Sequence, residues 1–236
     1  MAHSVLLNNI DHHDLRVITR RGAEFGDNVM SAVTFPAEFR NLQAHYPIVL
    51  QKSHDGASLV PLALFGFEEG ENLFLTKDGW DSTYLPLSLE RHPFQIGVSG
   101  EQLMIHVDLD HPRVSRSEGE VLFLPQGGTT EFTDRISSVL TTIHEGLQAT
   151  PGFIEALLRN ELVESFVVDI EMKDGSQHRL VGFYTIHEER LAALSSEALM
   201  ALHQAGYLQA IYMMVASMSQ FRALIERKNL AYAAQG

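Results

Sequence analysis

The sequence predicts an α+β protein: an antiparallel, sheet-rich N-terminal half, then helices and a β-hairpin in the C-terminal half. Three observations carry that prediction. Short apolar runs separated by Gly-, Pro- and acid-bearing turns fill the chain as far as Leu109. Apolar residues at helical spacing begin at Ile136. A second pair of alternating segments flanks Asp174-Gly175.

In the first half, Pro47-Ile48-Val49-Leu50 is one apolar run and the segment from Leu59 to Phe67 is another. Pro61 lacks an N–H, which argues for an edge strand or an irregular start. Glu69-Gly70-Glu71-Asn72 and Asp78-Gly79 read as turns around Leu73-Phe74-Leu75. Phe94–Val98 and Leu103–Leu109 alternate, and Ser99-Gly100-Glu101 between them suits a hairpin. Together these segments predict an antiparallel sheet with one buried face.

In the second half, Ile136, Val139, Leu140, Ile143 and Leu147 lie on one helical stripe, with Thr133 as the expected N-cap. Thr150-Pro151 predicts a fresh start, because Pro at the first helical position loses no hydrogen bond. Phe153, Ile154, Leu157 and Leu158 form the apolar face of that second helix. Phe166, Val168, Ile170 and Met172 alternate with Asp169 and Glu171, and Leu180–Tyr184 returns after Asp174-Gly175. Ser195 or Ser196 caps a helix carrying Leu199 and Leu202, which Gly206 ends. A last helix is expected from about Leu208 to about Lys228, with Ile211, Tyr212, Val215 and Met218 inward. Its added Met213, Met214 and Phe221 imply burial, or packing on a second copy. The expected organisation is a single domain over 1–236, with a strand-rich half over 1–125 and a helix/hairpin half over 126–236.

Composition excludes several chemistries. The chain has no cysteine, so it has no disulfide framework, no thiolate metal site and no cysteine nucleophile. Thirty acidic against seventeen basic residues give a net charge of −13, a poor balance for binding phosphate backbones. Nucleic acid is therefore not an expected partner. Arg16, Arg20 and Arg21, and Arg222, Arg227 and Lys228, are local basic patches that read as solvated faces. The first residues lack a basic-then-apolar leader pattern, and no apolar run is long enough to cross a bilayer. The expectation is a cytoplasmic chain without membrane insertion.

Twelve histidines raise the question of a metal. His106 and Asp108, at i and i+2 of a strand, face the same way and have the spacing of two-His-one-carboxylate iron sites. A distal His, such as His178 or His187, would complete that set. The alternative is an ordinary strand with hydrogen-bonded side chains. Asp11-His12-His13-Asp14 and Asp108-Leu109-Asp110-His111 read as solvated turns. No nucleotide-binding glycine motif and no G-x-S-x-G is present. The stretch from Gly79 to Phe94 concentrates Trp80, Tyr84 and Arg91, residue types that line clefts and interfaces or plug sheet edges.

The same stretch carries a resemblance. Tyr46-Pro47-Ile48-Val49, Pro61–Gly66, Glu71-Asn72-Leu73-Phe74, Gly79-Trp80, Tyr84-Leu85-Pro86 and Arg91-His92-Pro93-Phe94 occur in the order found in the SapC family. Glu118-Gly119-Glu120, Asp174-Gly175, Leu180–Phe183 and Gly206-Tyr207-Leu208 continue it, so the chain resembles that family over nearly its whole length. It departs from the family pattern at Arg91-His92 and at Pro125–Gly128. The resemblance implies a bacterial accessory or binding protein of a peptide- or nutrient-related pathway. The implied partners are a second copy, a flavin-dependent halogenase-like protein or a TonB-receptor-linked protein. It supplies no catalytic residues and implies no cofactor.

The leading expectation is a non-catalytic protein that binds a partner or small ligand through Tyr46, Trp80, Tyr84, Arg91 and Phe94. The alternatives are an Fe(II)-type oxygenase on His106, Asp108 and His178, and a surface-layer-associated protein.

Overall fold

Strand-forming segments pair antiparallel throughout the described residues. The structure is a computed structural model that describes residues 3–99, 102–171 and 177–233. It falls into two compact units, each assembled from several stretches of chain. The α+β class holds, with sheet dominating the N-terminal half.

The first unit comprises residues 1–27, 75–80 and 87–145. Gln102–Asp108 is the central strand of a three-stranded sheet, between Ser4–Leu6 and Phe94–Ser99. Arg16–Val17 pairs with both Val114–Ser115 and Glu120–Val121. A ribbon joins Leu75–Thr76 to Gly79–Trp80, and Gly79 turns there at φ 113°. Leu15, Val17, Phe94, Val107, Leu122, Ile136 and Leu140 form the core. Burying a side chain such as Phe94 contributes about 1.5–3 kcal/mol.

The second unit comprises residues 28–74, 81–86 and 146–236. Its five-stranded sheet runs Val163–Glu171, Gln177–Ile186, Ile48–Lys52, Leu59–Leu64, Ser31–Val33. The expected single N-terminal sheet is thus divided. Its 48–64 strands pair with the C-terminal hairpin, because Tyr184 aligns with Leu50 and Phe183 with Gln51. Helix Tyr207–Ser217 packs on this sheet, and the Ser217 hydroxyl accepts from the Ile48 N–H at 2.9 Å. Phe39 and Phe153 meet edge-on, 5.9 Å apart, in the core.

Pro61 is not on an edge strand. Its carbonyl accepts from the Thr34 N–H at 3.0 Å where the Ser31–Val33 strand ends. A residue's N–H and C=O point to the same neighbouring strand, so the missing donor falls at the end of that pairing.

Two helix boundaries differ from expectation. Glu131–Arg159 is one helix, with Pro151 inside it. Thr130, rather than Thr133, receives the first-turn N–H bonds. Thr150 does not cap a new helix: its hydroxyl donates to the Gly146 carbonyl at 2.8 Å, within the same helix. An internal Pro costs about 3 kcal/mol, and burial of Phe153, Ile154 and Leu157 offsets it at about 1.5–3 kcal/mol each. At the other end, the expected single helix is two, Tyr207–Ser217 and Gln220–Ala233. The Ser217 and Ser219 hydroxyls donate to the carbonyls of Met214 and Ala216, competing with the helical ladder at the break. Tyr212, expected inward, is half exposed, while Ile211 and Met214 are buried.

The Asp174-Gly175 turn, Met172 and the Gly100-Glu101 turn lie outside the described residues. The flanking strands keep hairpin register, Glu171 opposite Gln177 and Ser99 opposite Gln102.

Candidate ligand-binding site

The five residues expected to bind a ligand or partner belong to different regions of the protein. Tyr46 and Tyr84 are in the second unit; Trp80, Arg91 and Phe94 are in the first. Tyr46 is fully buried, with its ring against Phe65 and Phe74 at 5.2 and 4.7 Å, and its hydroxyl donates to the Tyr84 carbonyl. The Tyr84 hydroxyl donates to buried Glu38 at 3.0 Å, which also accepts from Thr34 at 2.6 Å. Phe94 is a core residue with no exposed surface. Burial gives Tyr46 and Phe94 packing roles, leaving Trp80, Tyr84 and Arg91 as the partly exposed members.

His106 and Asp108 share the Gln102–Asp108 strand. The His106 ring lies over Gly97, where a Cβ would stand 2.5 Å from Nε2. Asp108 accepts from the Asp110 N–H at 3.2 Å, closing a turn. Among the described residues, no group of three His, Cys, Asp or Glu side chains is placed to hold a metal. The His178 side chain lies outside the described residues.

Arg91 belongs to a different constellation. Within the first unit it joins Arg21, His92, His111 and Arg113. Arg113 forms the floor, with its side chain only 1% exposed. One guanidinium nitrogen, Nη2, donates to Asp27 at 2.6 Å. The other, Nη1, donates to the carbonyls of Ile18 and Arg20 at 2.9 and 2.6 Å. Arg113 Nε is buried without a hydrogen-bond partner. Asp27 also accepts from the Gly22 N–H at 2.8 Å and from Arg21 at 3.4 Å. Arg21 and Arg91 are partly exposed and donate to the carbonyls of Leu89 and Phe94 at 3.1 and 2.8 Å. The His92 and His111 rings stack 5.5 Å apart.

Positive charge is in surplus here. Two guanidiniums, Arg21 and Arg113, share the Asp27 carboxylate, and Arg91 has no carboxylate of its own among the described residues; Glu90, the next acid near Arg21, already accepts from Arg135 at 2.7 Å. The imidazoles register that field. Burial, then Arg91, His111, Arg113 and Arg21, push His92 down to about 4. Burial and Arg113 lower His111, partly opposed by Asp108 and Asp27. Burial also lowers Arg91, and burial with the neighbouring Arg113 lowers Arg21. The charged forms of Arg21, Arg91, His92 and His111 are each stabilised less than they would be in water, the condition in which an incoming anion is attracted.

Sequence reasoning singled out Arg91 and noted Arg21 and His111 in other contexts. It missed Asp27 and Arg113, which are 86 residues apart in the chain. No local pattern marks such a pair.

The SapC family model matches residues 7–224, covering most of both units. The chain belongs to the SapC family. This SapC-family chain is also similar to the nonribosomal peptide synthetase kk1B of Curvularia clavata. The two are 28% identical over 131 residues, 55% of this chain and 1% of the synthetase. The chain thus spans about one hundredth of that relative's length. No solved structure matches.

Proposed function

We propose that this SapC-family chain is a non-catalytic binding protein that takes a small anionic ligand at the rim formed by Arg21, Arg91, His92 and His111. The observation that carries the reading is surplus positive charge above a buried Arg113 in a chain whose net charge is −13. An overall negative chain repels anions, so attraction must come from a local, partly desolvated cluster. The limited similarity to a peptide synthetase supports a peptide-related setting, where a free carboxylate is a common anion.

Isothermal titration of the whole chain with succinate and with inorganic phosphate tests it. One saturable site is expected, weakened about tenfold or more in Arg21→Gln/Arg91→Gln, the scale of one or two charge-assisted hydrogen bonds. Equal affinity in that double variant would remove the site. One equivalent of tightly bound Fe(II) at His106 and Asp108 would favour the oxygenase alternative instead.

A further inference from the structure

Leu147 and Leu158 are 43% and 54% exposed, although the same helix buries Phe153, Ile154 and Leu157. Both line a trough in the second unit. One section, of about 360 Å³, runs between segment 57–61 and the helix, with Pro151 and Ile154 in its wall. It continues past Leu59 and Leu158 into a second section of about 370 Å³. Each volume is in the range of small-molecule sites. Leu147 and Leu158 are eleven residues apart, roughly 16 Å of helical rise.

Polarity is unevenly spread along the trough. The acid in its wall, Glu155, already accepts from Arg159 at 2.5 Å. At the far end, Lys52 is exposed, with its ammonium 6.0 Å from the Tyr184 ring centroid. Among the described residues no carboxylate pairs with it. Elsewhere in this unit, Arg159, Arg179, Arg190, Arg222, Arg227 and Lys228 have acidic partners; Arg40 is without one among the described residues but does not line the trough. An apolar channel ending in an unmatched ammonium is complementary to a ligand with an apolar body and an anionic end.

We infer that this trough binds a single-chain amphiphile, an acyl tail ending in a carboxylate, with the tail along Leu147–Leu158 and the head at Lys52. Burying the two exposed leucines supplies the affinity, at about 25 cal/mol per Å² of apolar surface removed from water. Lys52 supplies the direction of insertion. The occupant is a free molecule and not a bilayer, because a chain of net charge −13 is repelled by an anionic membrane surface.

The test titrates the whole chain with dodecanoate below its micellar concentration, with dodecanol as the uncharged control. One dodecanoate per chain is expected. Lys52→Gln should weaken dodecanoate about fivefold, the scale of one exposed charge pair, and leave dodecanol unchanged. Leu158→Glu, at an exposed position that does not threaten folding, should weaken both ligands about tenfold or more. Equal affinities of the Leu158→Glu and native proteins for dodecanoate overturn the inference, as does a Lys52→Gln variant that retains native affinity. A dimer that Leu158→Glu dissociates, with no dodecanoate bound to the native chain, would assign the trough to a second copy and also overturn it.

Discussion

Two buried cations, one in each unit, meet opposite treatment. Lys228 is 5% exposed and donates to both Glu68 and Glu71, with its ammonium 5.1 Å from the Tyr232 ring centroid. Burial alone would lower its pKa, yet its bonds to Glu71 and Glu68 raise it. Arg113 is equally enclosed, but it shares one carboxylate, Asp27, with Arg21, and Arg91 and two imidazoles stand nearby. An over-neutralised cation is a structural lock: it pins helix Gln220–Ala233 to the turn at Glu68–Glu71. An under-neutralised group retains attraction for an anion from outside. The local ratio of acids to bases therefore separates a structural site from a candidate binding site more sharply than burial does.

The largest expected effect is at Arg113. Arg113→Ala removes the 2.6 Å ion pair of buried Asp27, leaving the longer contact with Arg21, and should cost about 3–5 kcal/mol in urea denaturation. A loss below about 1 kcal/mol would show that Arg113 is not the floor of the cluster.

Next is the response to anions. Succinate or phosphate at about one hundred times its Kd should stabilise the native chain by about 2.7 kcal/mol. The Arg21→Gln/Arg91→Gln variant should gain little. Equal gains in both proteins would dissolve the contrast with Lys228.

Acidity should act through His92. Its folded pKa is about 4 against 6.5 for the free side chain, so between these values the unfolded chain binds the extra proton. Stability contributed by neutral His92 is intact above about pH 6.5 and is lost as pH falls toward 4. Partial solvent access reduces the effect to about 1–2 kcal/mol. Saturating anion should shrink it by favouring the imidazolium. A His92→Gln variant whose acid sensitivity equals the native chain's would contradict this.

Lys228→Met should be milder, about 1 kcal/mol, because Glu68 is 54% exposed and rehydrates, Glu71 (19% exposed) keeps its bond from the Phe67 N–H at 2.8 Å, and the methionine keeps the packing. The smallest effect is at Lys52, where replacement by Gln should change stability by less than about 0.5 kcal/mol. A larger loss would reveal a partner that makes Lys52 structural.

Much of the fold was legible because period-2 and period-3.6 patterns report which face of a segment is buried. The 94–108 hairpin and the stripe Ile136, Val139, Leu140 and Ile143 were read this way, and all four stripe residues are buried. Leu147 and Leu158 fit the same helical patterns yet stay exposed, because pattern reports apolar character and not whether a neighbour covers it. Helix ends were misread where a side chain has two uses: Thr150 and Ser217 can cap a helix or bond back within one, and packing decides between them.

The sequence by itself determined the fold class, the absence of cysteine chemistry, the acidic balance and the family resemblance, all of which depend on local pattern or on totals. Tertiary structure alone decided that the 48–64 strands pair with the C-terminal hairpin, and that Asp27, Arg21, Arg91, His92, His111 and Arg113 form one charged group. Those outcomes depend on contacts between residues far apart in the chain. Electrostatic strength is set by distance and solvent exposure, neither of which is written in residue order.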